Sequence, residues 1–224
     1  MTSKFKAPSV YTQRKKTSKW HWDFWTDKSD DKMFKVYAQF QGKWSKKPVF
    51  NDRNHYRGSN PASVAQQAHW GKTLEDRFDE SWIAEEQKKD YQPIIDATGL
   101  KDPVCWIHVQ VPGQMHILHM DNARADNLHL NKQGKPLTLD QRRKKLARLF
   151  IMLDDWHPGQ VIMLGNHHWT KWKMGDAMWF SWADVPHATA NMGHNARPML
   201  FLQGEITTEF KNMLNSKNKI IIKV

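Results

Sequence analysis

From residue 104 the chain breaks into short apolar runs divided by turn-forming residues: VCWIHVQV, PG, QMHILHMD, RLFIML, QVIMLG, GDAMWFS, PHATAN, RPMLFLQGE and a terminal KIIIKV. Several short strands with turn signals between them predict a sandwich, jelly roll or barrel, not a parallel βαβ sheet. The longest interruption, residues 122–147, is polar and basic with helical potential at TLDQRRKKLARL. An insertion of that length is expected to be a lid or binding loop, or plain surface decoration. Upstream, PASVAQQAHW opens with Pro61, and Leu74, Phe78, Trp82 and Ile83 recur near helical spacing, so helices that buttress the sheet are expected over about 61–100. Residues 1–35 join basic residues to the aromatic cluster Trp20, His21, Trp22, Asp23, Phe24, Trp25 and read as an arm, which leaves 36–224 as a single domain with its β-rich core at about 104–205.

Composition supports one packed core. Hydrophobic residues make up 39% of the chain and aromatics 12%, with 12 Trp and 11 Met, apolar volume that a disordered chain does not carry. No run approaches the roughly 18 apolar residues of a membrane span, and MTSKFKAPSVYTQRKK lacks the apolar segment of a secretion signal. The expectation is a soluble cytoplasmic protein with no membrane partner. The single cysteine, Cys105, lies in an apolar run and is expected to be a buried, inert thiol. A formal charge of +11 invites nucleic acid as a partner, because Lys and Arg that neutralise phosphates release counterions. Much of that charge, however, sits in Lys4, Lys6, Arg14, Lys15, Lys16 and Lys19 and in Lys132, Lys135, Arg142, Arg143, Lys144 and Lys145, for which a solvated surface is the favoured reading.

In QMHILHMD, side chains of a strand alternate between faces, so His119 and Asp121 point the same way and can share one metal. His116, three residues before His119, faces away in an undistorted strand and is read as packing. A third ligand would complete the facial triad that leaves open positions on non-haem iron, and His187 in PHATAN is the best candidate. Arg197 follows it by ten residues at the start of PMLFL, where a guanidinium can pair with the distal carboxylate of 2-oxoglutarate. His194 is the rival distal ligand, but it lies only three residues before Arg197 and leaves no strand-length return. A second H-x-D triplet, His21 and Asp23, lies in the arm with no His and Arg placed after it in the same way.

The segments PGQMHILHMDN, RLFIMLDDWHPGQ, WTKWKMGDAMWF and PHATANMGHNARPMLFLQG, in that order, resemble the jelly-roll core of the Fe(II)/2-oxoglutarate-dependent dioxygenase superfamily. The resemblance covers roughly residues 104–205, and its details are similar to aspartyl/asparaginyl hydroxylase-like and phage-encoded members. It implies a mainly β fold with flanking helices, the cupin-like double-stranded β-helix. It also implies a hydroxylase using Fe(II), 2-oxoglutarate and O2, with release of succinate and CO2, in a host cytoplasm if the chain is phage-encoded. By matched position, His119, Asp121 and His187 take the metal and Arg197 takes 2-oxoglutarate. Met199 stands where many members carry a hydroxyl two residues after that arginine. Gln203 replaces the further arginine of the DNA-repair demethylases, which argues against nucleobase demethylation.

Two further residues are candidates for the co-substrate pocket. Arg148, at the start of RLFIML, can project into the barrel mouth to hold a substrate carboxylate or the co-substrate, against the alternative of a surface arginine. Asn191 shares the parity of His187 and Thr189 and can orient a ligand, or simply make a structural hydrogen bond. His167 and His168 read as solvated loop residues, Trp169, Trp172, Trp179 and Trp182 as packing, and Asp154, Asp155 and Asp176 as turn residues. The expected substrate is a small molecule or peptide, with an anionic group suggested by the basic segments. The competing functions are a non-catalytic cupin-like metal- or ligand-binding module and a basic nucleic-acid-binding protein.

Overall fold

The computed structural model describes residues 34–42, 81–82, 89–110, 112–113, 115–119, 134–135, 137–165, 167–182 and 184–224, with the backbone alone at 81, 82, 117, 119 and 139. The described strands are β1 (Phe34–Gln41), β2 (Ser81–Trp82), β3 (Lys101–Gln110), β4 (Met115–His119), β5 (Leu146–Met152), β6 (Gln160–Leu164), β7 (His167–Trp169), β8 (Asp176–Phe180), β9 (His187–Asn191), β10 (Arg197–Glu205) and β11 (Ile220–Lys223). Among the described residues three helices accompany them: α1 (Gln92–Ala97), α2 (Leu139–Lys145) and α3 (Thr208–Asn215).

The large sheet has the order β11-β1-β8-β5-β10-β3-β2 and the small one β4-β9-β6-β7. All pairings are antiparallel except that of β1 with β11. From β3 to β10 the chain visits the sheets in the sequence large, small, large, small, small, large, small, large, placing β8-β5-β10-β3 in one wall and β4-β9-β6-β7 in the other. Such winding of paired strands through two walls is the double-stranded β-helix, or jelly roll.

Two apolar cores explain why the central strands read as unbroken apolar runs. All seven residues of β5 are buried, because both faces of the large sheet are covered. Ala147, Leu149 and Ile151 of β5 join Leu200 and Leu202 of β10, Cys105, Ile107 and Val109 of β3, and Ile94, Ile95 and Phe210 of the helices on the outer face. Phe150 and Met152 turn inward with Met199 and Phe201 of β10, Met178 and Phe180 of β8, and Ile162 and Leu164 of β6. Cys105 is thus a buried outer-core residue, as expected. On the outer face, α3 is capped by the Thr207 hydroxyl, which accepts from Phe210 N at 3.0 Å, and Phe210 meets the Tyr37 ring edge-on at 5.7 Å.

Several expectations change. Ser81–Trp82, inside the segment expected to be helical, forms a strand against Val109 and His108, and α1 supplies helix at 92–97; 61–80 and 83–88 lie outside the described residues, as does the arm up to residue 33. A two-residue edge strand is decided by its partner strand, so periodicity over that segment carries no signal of it. Phe34 and Lys35, assigned to the arm, begin β1. Within the insertion, α2 forms where helical potential was read, closed by a capping box of Thr138 and Gln141, but Leu146 and Ala147 already belong to β5. Arg148 is therefore the third residue of a buried strand rather than a surface strand start.

Candidate metal centre

Alternation along the inner walls sets the rows of the site. On β10 the inward residues are Arg197, Met199, Phe201 and Gln203. Arg197 stands opposite Gln110 of β3, Met199 opposite His108 and Met152, Phe201 opposite Trp106 and Phe150, and Gln203 opposite Arg148. Across the interior, His187, Thr189 and Asn191 of β9 are buried and share the inner face, opposite Leu164, Ile162 and Gln160 of β6. The parity expected for these three residues holds. Gln110 spans the two walls, donating from Nε2 to Thr189 Oγ1 at 3.0 Å.

His119 pairs directly with His187 across β4 and β9. Residues opposed in an antiparallel pair share a face, with Cβ atoms about 4.5–5.5 Å apart. The His187 ring is 4% exposed, and Phe180 and Phe150 lie with ring centroids at 4.9 and 6.4 Å. Its Nδ1 lies 3.2 Å from the Val185 carbonyl. A carbonyl oxygen only accepts, so Nδ1 carries the proton and Nε2 is the nitrogen with the lone pair, the arrangement usual for a metal-binding imidazole. The donor chemistry fits iron(II). Asp121 lies outside the described residues, and among the described residues no three His, Cys, Asp or Glu side chains form a metal-holding group.

The register of β4 corrects the reading of His116. Met115 and His116 pair with Ala190 and Thr189, but a β-bulge between His116 and His119 shifts the register by one residue. His116 consequently stands opposite inward-facing Thr189, just as His119 stands opposite His187. Alternation fails here because a bulge places two residues against one on the partner strand. His194, the rival distal ligand, is exposed in the β9–β10 turn.

The far end of the interior, where Arg197 is buried, is tightly knit. Asn191 Nδ2 donates to the Gln110 and Asn195 carbonyls at 2.8 and 2.9 Å, its Oδ1 accepts from Gly193 N at 3.2 Å, and Gln160 Nε2 donates to the Asn195 carbonyl at 2.9 Å. Asn191 is thus engaged structurally, the alternative weighed for it. Arg148 is buried at the other end of the same inner wall. Its Nε donates to Gln203 Oε1 at 2.8 Å, and its guanidinium lies 5.1 Å from the Trp182 ring centroid and 5.3 Å from that of Phe201.

His167 belongs to β7, not a loop, and pairs with Leu164, itself opposite His187. It thus shares the inner face of His187, and its Nε2 is buried with no hydrogen-bond partner among the described residues. The signal lay in the alternation of His167 with Trp169, too short to outweigh a loop. The remaining packing expectations hold: Trp172 and Trp182 are buried, and Asp154, Asp155 and Asp176 accept from the turn amides of Asp155, Met174 and Lys173.

No family model matches the sequence, and no curated protein does. Among solved structures, a Pseudomonas putida prolyl-4-hydroxylase matches at 18% identity over 65% of this chain and 83% of its own, with a TM-score of 0.39. A viral collagen prolyl hydroxylase from Paramecium Bursaria Chlorella virus-1, solved as its 2OG complex, matches at 12% identity over 70% of this chain and 98% of its own, with a TM-score of 0.37. A sugar phosphate isomerase of the cupin superfamily from Silicibacter pomeroyi matches at 11% identity over 57% and 60%, with a TM-score of 0.33. At those scores the strand order itself carries the assignment: the chain is a double-stranded β-helix protein with two buried arginines and a buried His187 on its inner walls.

Proposed function

We propose that this protein is an Fe(II)- and 2-oxoglutarate-dependent oxygenase that hydroxylates a small-molecule or peptide substrate, with His119, Asp121 and His187 as the metal ligands and Arg197 as the co-substrate anchor. The observation that carries the reading is the direct pairing of His119 with His187 beside a Val185 carbonyl that selects the ligating tautomer of His187. When bound, iron(II) with 2-oxoglutarate couples decarboxylation of the keto acid, to succinate and CO2, to oxygen transfer from O2 to the substrate.

The chain's own groups do the rest. Val185 holds the proton on His187 Nδ1, so the ring presents Nε2 without a change of charge. Phe150 and Phe180 wall that imidazole against water. Phe150, beside the His187 ring, pairs with Phe201, four residues along β10 from Arg197, roughly 13 Å at about 3.3 Å per residue. A planar guanidinium there matches a terminal carboxylate bidentately.

Purified protein loaded anaerobically with iron(II) and 2-oxoglutarate should develop the weak visible charge-transfer band of the chelate. His187→Ala and His119→Ala should each abolish it. Absence of the band in the unaltered protein sinks the proposal.

The bulge in β4 favours a second reading, a cupin-like binding module. With His116 opposite Thr189, a closely spaced histidine pair on one strand is sterically available. Under that reading His116→Ala weakens metal binding as much as His119→Ala does, and 2-oxoglutarate leaves metal affinity unchanged.

A further inference from the structure

We propose that the buried pair Gln110 and Thr189 is a second carboxylate-binding element beside Arg197, in which the Gln110 amide donates to the distal carboxylate of the co-substrate. The inference rests on the oxygenase reading for the identity of that diacid, and on the hydrogen-bonding capacity of the pair for the site itself.

The pair stands between the two ends that such a ligand touches. Gln110 is the register partner of Arg197, and residues opposed in an antiparallel pair hold their Cβ atoms about 4.5–5.5 Å apart. Its side chain crosses the interior to Thr189, which lies two residues along β9 from His187, roughly 7 Å at about 3.3 Å per residue. An extended diacid with one end at the His187 level and the other at Arg197 has this amide alongside it.

Among the described residues three buried side-chain amides stand at this end of the interior, and two of them are fully engaged. Asn191 donates to the Gln110 and Asn195 carbonyls and accepts from Gly193 N, while Gln160 donates to the Asn195 carbonyl and accepts from His157 N at 3.3 Å. Gln110 differs. It is 2% exposed, its Nε2 gives one hydrogen to Thr189 Oγ1, and its Oε1 accepts from nothing among the described residues. Thr189, 5% exposed, accepts that bond and spends its own hydroxyl hydrogen on no described residue. A buried amide oxygen without a donor is destabilising. A half-turn of the amide removes both deficits, because Oε1 then accepts from the Thr189 hydroxyl and the NH2 group takes the place of the oxygen with hydrogens to give. A carboxylate only accepts, so it is the group that the turned amide suits. The Asn191 bond to the Gln110 carbonyl fixes the backbone from which this side chain extends.

The test uses full-length protein loaded with zinc(II), titrated by calorimetry with 2-oxoglutarate and with 2-oxopentanoate, which has the same keto-acid chain but no distal carboxylate. The unaltered protein should prefer 2-oxoglutarate. Gln110→Met, close in shape but without donors, should weaken 2-oxoglutarate by roughly 10-fold or more, as loss of a hydrogen bond to a charged group does. Its affinities for zinc(II) and for 2-oxopentanoate should stay within about twofold. Thr189→Val, which removes the hydroxyl that holds the turned amide, should weaken 2-oxoglutarate by several-fold with the same controls unmoved, and carries the test if the methionine variant fails to fold. In nitrogen-15-labelled protein, the side-chain amide signals that Gln110→Met removes should shift when 2-oxoglutarate is added. The inference is overturned if both variants keep the preference for 2-oxoglutarate, if zinc(II) or 2-oxopentanoate is weakened as much as 2-oxoglutarate, the mark of a merely structural amide, or if those signals stay in place. Preference kept by these variants but abolished by Arg197→Gln removes this inference and leaves the oxygenase reading standing, whereas an unaltered protein that binds 2-oxoglutarate no better than 2-oxopentanoate overturns both.

Discussion

Asn191 illustrates how a residue singled out for chemistry can be held by the backbone around it. Fully buried, it bonds to the Gln110 and Asn195 carbonyls and to Gly193 N. Asn191→Ala leaves those groups unsatisfied and should cost about 2–4 kcal/mol, read from the urea midpoint. Asp155 tests a charge. The Met174 amide, with help from Lys173 and His157, holds its carboxyl below the ordinary 3.8 against a smaller opposing effect of burial. A depressed folded-state value means that the contribution is complete above the unfolded-state value and is lost as pH falls through the folded one. Asp155→Asn should therefore flatten the acid limb of the stability curve below about pH 4 while changing its slope little near neutrality, as urea unfolding across that range will show. At this scale, the inward parity of His187, Thr189 and Asn191 was legible because β9 is regular, whereas that of His116 was not, because the bulge is a property of how β4 meets β9.

Elements differ in how far local chemistry determines them. The short helix α2 carries its own signal, a capping box in which Thr138 Oγ1 accepts from Gln141 N and Gln141 Oε1 accepts from Thr138 N. Thr138→Ala should destabilise it by about 1 kcal/mol, visible as faster amide exchange in its first turn. By contrast α3 depends on the body, since Phe210 is fully buried among outer-core residues, and Phe210→Ala should cost about 3–5 kcal/mol by thermal or chemical denaturation. The turn before β6 packs against the turn after β9 so closely that a Cβ at Gly159, whose φ is +92°, would strike Gly193. Gly159→Ala must strain the backbone and push that contact apart, loosening the closed end behind Arg197.

For the whole molecule, charge and site chemistry make different predictions. A formal charge of +11 predicts that any binding to polyanions is non-specific, falls steeply with added salt and needs no metal. An affinity for DNA that survived about 0.5 M salt would favour the nucleic-acid reading over the oxygenase one. Heparin retention across a salt gradient, with and without iron, separates the two.

The sequence by itself determined what depends on near neighbours along the chain: the succession of short strands, the parity of regular β9, the α2 cap and the ten-residue interval from His187 to Arg197. Turn chemistry, side-chain alternation and side-chain capping all act over a few residues, so they are written locally. The tertiary structure decided which strands became neighbours. It set His119 against His187, brought His167 onto the inner face of His187, turned His116 inward through a bulge, and placed Arg148 and Arg197 at opposite ends of one wall. Register between strands distant in sequence is settled when two walls bury their inner faces together, because a slip of one residue would turn every inward side chain out.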